Sequence, residues 1–286
     1  MRYSVFTAST PDWTPEETVA QLAAQGWDGV EWRITDQKPA EPPGFWAGNR
    51  ATFPLTGLEY ELLRIAEITR AAGLAMSGLG GYVPASDHAN VERMLAATAT
   101  LGAERVRVTM PALTGGDYRE LFDATRRDLA RVADRAAEHG VTALVELHHG
   151  TIAASASAAV RLLDGLDPQH VGVIHDIGNL MIEGFEDPLA AFQLLGPYLA
   201  HVHVKNVAWM VTGSRPDGGP RWSAEWVPLR EGQGDIEAYL VALRRFGYDG
   251  WITVEDFSTV TPLAERTRDN LSYLRELDRR STGRGE

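Results

Sequence analysis

The sequence predicts a single (β/α)8 barrel, and three observations carry that prediction. Short apolar, β-branched runs alternate with helix-length amphipathic segments, eight of each, along 286 residues. Four of the later runs end, at their C-terminal side, in a carboxylate or imidazole, where barrels gather their functional residues. The first run leads into Ala8-Ser-Thr-Pro-Asp-Trp, without the glycine-rich phosphate loop that usually marks the competing doubly wound sheet.

The elements follow in order. Tyr3–Thr7 reads as the first strand. Thr14, Pro15 and Glu17 form a helix-start pattern, and that helix runs to about Gln25. Gly26-Trp-Asp-Gly turns into the second strand, Val30–Arg33. Ile34–Gly57, rich in Pro and Gly, reads as a long surface loop. Tyr60–Ala72 is helical and broken by Gly73; Leu74–Leu79 is the third strand; His88–Leu101 is helical; Arg105–Thr109 is the fourth strand. A long amphipathic helix, Asp117–His139, stops at Gly140. The fifth strand opens Val141–Gly150, an apolar run ending in Glu146, His148 and His149. Ser157–Leu163 is helical, Val171–Asp176 is the sixth strand, and Asp187–Leu195 is helical. Leu199–Val204 is the seventh strand. Val207–Gly234, with Trp209, Trp222 and Trp226, reads as irregular: either a lid over the site or a loop packed on its own tryptophans. Asp235–Phe246 is helical, Trp251–Glu255 is the eighth strand, and Pro262–Arg280 is the last helix. The barrel therefore spans residues 1–280, and 281–286 are expected to form a disordered tail.

Composition bounds the function. Apolar residues at 44% and charged residues at 23% are those of an ordinary globular protein. There is no membrane-spanning run and no signal-peptide pattern, so no membrane partner is expected. The absence of cysteine rules out a disulfide framework and thiolate metal ligation, and fits a cytoplasmic protein. A net charge of −12 argues against nucleic acid as a partner. A homo-oligomer is compatible with all of this.

In a barrel, Glu146, Asp176, His203 and Glu255 face one another across one mouth. Three acids buried together without a cation repel and pay for desolvation, so the set points to one divalent metal ion. A hard, oxygen-rich site suits Mn²⁺, Mg²⁺ or Co²⁺, with Zn²⁺ a further candidate.

Several pieces together carry a family resemblance: Gly26-Trp-Asp-Gly-Val-Glu31, Val145-Glu-Leu-His-His-Gly150, His175-Asp-Ile-Gly-Asn179, His201-Val-His-Val-Lys-Asn206, Gly232-Gln-Gly-Asp235 and Gly247-Tyr-Asp-Gly…Val-Glu255. By their order and spacing the chain resembles the xylose-isomerase-like TIM barrels, which include sugar isomerases, ketose epimerases, inosose dehydratases and endonuclease IV. The resemblance implies one divalent ion on Glu146, Asp176, His203 and Glu255, with Glu146 and Glu255 exchanging protons with a sugar. Departures are equally specific. Asn179 and Asn206 stand where many relatives have His and Asp. Ile152 replaces the second glutamate of ketose 3-epimerases, and Trp209 is nearest to their loop arginine. These bear on the free-ketose assignment and leave the metal site intact. Endonuclease IV needs further histidines, which the second and third strand ends and Asn179 do not supply.

Around the metal, His149, Lys205, Glu31, Trp32 and Arg33 are the candidate substrate-binding residues. Trp32 is read as a sugar platform, Arg33 as an anion contact, Glu31 as a hydroxyl binder or a structural acid. Lys205 either steers an anion or neutralises the site, and Arg107 ion-pairs with the buried acids. His148 is expected to point away, His201 to sit satisfied inside the barrel and His175 to face outward. The expected activity is isomerisation or epimerisation of a sugar or sugar-derived keto compound, a small-molecule substrate, by enediolate proton transfer. The alternatives are dehydration of an inosose-like or dehydroshikimate-like ketone, or a non-catalytic metal-containing sugar-binding barrel.

Overall fold

The computed structural model describes residues 1–283. Eight parallel strands close a barrel in the order β1 (Arg2–Phe6), β2 (Gly29–Ile34), β3 (Ala75–Gly81), β4 (Arg105–Val108), β5 (Thr142–Glu146), β6 (Val171–Asp176), β7 (Leu199–Val204) and β10 (Trp251–Val254), which returns to β1. The helices around it are α1 (Pro15–Gln25), α2 (Leu58–Ala71), α3 (His88–Thr100), α4 (Tyr118–His139), α5 (Ala156–Leu163), α6 (Ile177–Glu183), α7 (Pro188–Leu195), α8 (Ile236–Phe246) and α9 (Leu263–Gly283). None is long and apolar enough to cross a membrane.

Local chemistry sets the helix ends. Thr14 and Glu17 close a reciprocal capping box, each side chain bonding the other residue's backbone N–H. Asp117, Ser155, Asp187 and Asp235 cap α4, α5, α7 and α8 with side-chain oxygens. Gly26, Gly140 and Gly247 end α1, α4 and α8 in the left-handed region.

The strands divide two layers. Outward residues such as Val30, Trp32, Ile34, Val173 and Val202 pack under the helices in the main apolar core. Many inward residues are polar or charged: Ser4, Glu31, His201, His203, Thr253 and Glu255 are all buried. Among the apolar inward residues is Phe6; its ring stacks on His203, with centroids 6.0 Å apart. Glycine at position 80 makes this possible, because a Cβ there would run into the Phe6 ring.

Four expectations need correction. The segment after β7 is not irregular: β8 (Asn206–Ser214) and β9 (Pro220–Val227) form an antiparallel hairpin, with Trp209 opposite Ala224 and Val207 opposite Trp226. Two apolar-aromatic runs flanking Arg215-Pro-Asp-Gly-Gly carry that turn in the sequence. Helix α6 was not anticipated; only seven residues long, it starts on the Asp176 side chain. The last helix runs on through 281–283, and the remainder of the expected tail, 284–286, lies outside the described residues. The 34–57 loop is irregular as expected but not wholly at the surface. Asn49, Ala51 and Phe53 are buried, and Phe53 bridges to Ile34.

Candidate metal centre

The mouth at the C-terminal strand ends brings together Glu146 from β5, Asp176 from β6, His203 from β7 and Glu255 just past β10. Asp176 pairs level with His203, and His203 with Thr253, so Glu255 stands two residues higher. One ligand-type atom from each of the four lies within 4.8 Å of the others, and all four residues are buried. His203 Nδ1 is 3.2 Å from Glu255 Oε1, 3.6 Å from Glu146 Oε1 and 4.0 Å from Asp176 Oδ2.

The imidazole of His203 is oriented from below. Its Nε2 lies 3.0 Å from Glu31 Oε2. An ionised carboxylate only accepts, so Nε2 carries a proton and Nδ1 is the ring nitrogen turned to the carboxylates. The Glu31 oxygen also meets His201 Nε2 at 3.1 Å, and His201 meets Thr253, which meets Ser4. A polar file thus runs down the barrel axis beneath the site.

Charge balance sharpens the reading. Lys205 Nζ lies 2.5 Å from Glu255 and 2.6 Å from Asp176, and Arg107 Nη1 lies 2.6 Å from Glu146. Burial pushes Asp176 up, and the Glu255 and Glu146 charges add to that, so its pKa reaches about 7 despite Lys205. Burial also opposes ionisation of Glu255, but Lys205 and His203 prevail and hold it at about 2. Against the same penalty, Arg107 and Lys205 hold Glu146 well below the usual range. Burial disfavours a charged His203, yet the carboxylates of Glu255 and Glu31 lift its pKa well above normal. Asp176 Oδ2 is held by the Lys205 ammonium, while His203 Nδ1 is buried without a hydrogen bond although three carboxylates surround it. An unbonded ring nitrogen among three acids fits a hard divalent cation.

The remaining predicted residues divide. A cavity of about 360 Å³ opens above the four, lined by Glu146, Glu255, Lys205, Arg107, His148 and His149 among others. His149 therefore reaches it, its Nδ1 3.1 Å from Asn179 Oδ1. Burial and the neighbouring His148 lower its pKa. His148 does not point away: it stacks on His149 at 4.4 Å and shares the cavity wall, because the strand has ended at Glu146 and strict alternation with it. Lys205 occupies the neutralising position. Glu31 does not reach the cavity and is an interior acid holding two histidines. Trp32 is no platform: it is fully buried on the outer face, its indole N–H donated to Thr69 of α2 and its ring edge-on to Phe53 at 5.2 Å. Arg33 is no anion contact either. It backs the wall behind Tyr82 and Trp46, at 5.0 and 6.0 Å, and bonds Gln37 and Thr52. His201 lies inside the barrel as expected, but only its Nε2 is paired, its Nδ1 having no hydrogen bond; His175 faces outward with Nδ1 2.6 Å from the Tyr239 hydroxyl.

Sequence reasoning missed Asn179 as a site residue. Its amide donates to Glu146 Oε1 at 3.0 Å and to Leu147 O, while its oxygen faces His149. The signal was its place three residues after Asp176 on an unread helix, which turns both toward the mouth. Tyr82, Trp46 and Phe257 were missed as well, since Tyr82 and Phe257 lie just beyond strands and Trp46 within the irregular 34–57 loop, where no periodicity reports direction.

Comparison with known proteins agrees with this architecture. An inosose dehydratase of Lacticaseibacillus casei is 32% identical over 133 residues, 44% of this chain and 44% of that protein. The chain thus spans less than half the length of that curated relative. Among solved structures, the apo form of the E. coli 3-keto-D-glucoside 4-epimerase YcjR superposes with a TM-score of 0.71 at 18% identity, covering 96% of this chain and 99% of that one. A xylose isomerase-like TIM barrel protein from Mycobacterium smegmatis, in complex with magnesium, superposes with a TM-score of 0.72 at 18% identity, covering 98% and 97%. A family model described as xylose isomerase-like TIM barrel matches residues 19–277, and with eight parallel strands and this mouth the chain belongs to that family.

Proposed function

We propose that the protein is a divalent-metal-dependent isomerase or epimerase of a sugar- or polyol-derived keto compound. The observation that carries this reading is the placement of Glu146 and Glu255: two ionised carboxylates on separated strands, both facing one cavity. Glu146, Asp176, His203 and Glu255 would hold one Mn²⁺, Mg²⁺ or Co²⁺ ion, which supplies Lewis-acid polarisation of a carbonyl. A proton on the neighbouring carbon then comes within reach of one ionised glutamate, which passes it on to solvent, while the other, on its own side, takes up a solvent proton and delivers it to the substrate. Arg107 and Lys205 keep both carboxylates ionised through neutral pH.

Dehydration of an inosose-like ketone is the second reading. It is supported by the curated relative's activity and by the two imidazoles, His148 and His149, at the cavity, where a leaving hydroxyl needs a proton. One experiment separates the readings. Metal-loaded protein is incubated in deuterated water with keto-inositols and keto-sugars and followed by NMR and ultraviolet absorbance. Deuterium beside the carbonyl with a new epimer or isomer, and no enone, is expected. An enone product moves the assignment to the dehydratase. No exchange with any of them leaves a sugar-binding barrel.

The Glu31–His203 contact yields a further expectation. Carboxylates behind metal-ligating histidines typically contribute roughly 10–100-fold in metal affinity. Glu31→Gln should weaken Mn²⁺ binding by about that factor in chelator competition, with circular dichroism unchanged. Wild-type affinity in a folded variant would show that the contact does not orient the ligand.

A further inference from the structure

The cavity changes character from floor to rim. Its floor is charged, formed by Glu146, Glu255, Lys205 and Arg107. Much of its wall is rings contributed by four separate loops or strand ends: Trp46 from the 34–57 loop, Tyr82 after β3, Trp226 from β9 and Phe257 after β10. His148, His149, Thr109 and Thr151 also line it. Phe257 is the hub, with ring centroids 4.9 Å from Trp46 and 5.8 Å from Trp226, and Phe45 supports it from behind at 5.2 Å. Trp46 is held there although 54% of it is exposed. The cations face these rings from below: Lys205 Nζ lies 5.4 Å from the Trp226 ring and Arg107 4.5 Å from that of Tyr82.

A small ketose with hydroxyls on every carbon matches the floor and the imidazoles and threonines of the wall, but not the four rings. Its hydroxyls would lose water against ring faces that offer no hydrogen bonds, at a cost for each. Apolar surface left open to water, by contrast, is relieved by an apolar ligand at roughly 25 cal/mol per Å², and ring pairs in offset or edge contact add about 0.5–1.5 kcal/mol. A ligand that satisfies both levels has a hydroxylated, carbonyl-bearing ring at one end and a flat apolar group at the other. We propose that the rim is an aglycone subsite, and that the substrate is a ring-oxidised glycoside or ether whose aryl substituent lies between Trp46 and Trp226. This deepens the proposed function and rests on its placing of the reacting ring on the charged floor. The hairpin β8–β9 acquires a purpose here, since it carries Trp226 to the mouth. On the same strand, Trp222 is exposed and does not line the cavity.

The test uses full-length, Mn²⁺-loaded protein and matched pairs of phenyl and methyl glycosides of several hexoses, with phenyl and methyl ethers of inositol, titrated calorimetrically. The phenyl member of at least one pair should bind about tenfold tighter or more, equivalent to about 1.4 kcal/mol. Trp46→Ala and Trp226→Ala should bring the phenyl-to-methyl ratio close to one, and Trp222→Ala should leave it as in the wild type. Metal content reports that each variant is folded. Equal binding within every pair, binding of no phenyl compound, or a ratio that survives both wall substitutions overturns the aglycone subsite. Deuterium exchange into a small keto-polyol is read in parallel: if it persists while the ratio is one, the subsite fails and the proton-transfer reading stands.

Discussion

Asp176→Asn is expected to lower divalent-metal affinity by roughly 10²-fold or more, beyond what loss of an outer contact costs. Asparagine keeps an oxygen to cap α6, where Asp176 Oδ1 accepts from the Asn179 N–H at 2.9 Å, and so preserves the fold. It removes the charge on the side facing His203. The same site makes metal uptake pH-dependent, and its sign follows from two groups. Without metal, Asp176 titrates near about 7 and His203 well above its ordinary value, and both must be deprotonated to ligate. Metal binding at pH 7 should therefore release protons, and affinity should fall as pH drops through 7. Calorimetric titration of Mn²⁺ in two buffers of different ionisation enthalpy reads the proton count. Equal heats in both buffers, with affinity flat from pH 8 to 6, would sink the proposed ligand set.

Glu146→Gln and Glu255→Gln should each lose roughly 10²–10⁴-fold in substrate-proton exchange with deuterated solvent, the usual contribution of a positioned base. Glutamine retains shape and one ligating oxygen, so partial metal binding should survive. The two glutamates are held differently, Glu146 by Arg107 and Asn179 and Glu255 by Lys205. Both stay ionised across neutral pH, so neither should produce a limb in the exchange profile there. A folded, metal-loaded variant that exchanges at the wild-type rate would reduce that glutamate to a ligand.

The barrel was legible because its signals are local. Alternation of apolar runs with capped amphipathic segments places strands and helices wherever they pack. The Thr14–Glu17 box and the Gly140 stop act within one turn of chain. Glu146, Asp176, His203 and Glu255 were legible for a related reason: the fold brings all strand C-termini to one mouth, so position along a strand reads as position in space. The side-chain direction of residues beyond a strand end has no such rule. His148 was expected outward and lines the cavity, while Trp32, still inside β2, faces α2. Glu31 has the inward parity of a ligand, but sits one layer too deep, since depth depends on the stagger between neighbouring strands. Asn179 comes from α6, and Tyr82, Trp46 and Phe257 from separate loops; they converge only when the barrel closes. Ligand chemistry follows from residue type and strand parity, both written in the chain. The wall that selects a substrate depends on distances between loops remote in sequence, which exist only after the barrel has packed.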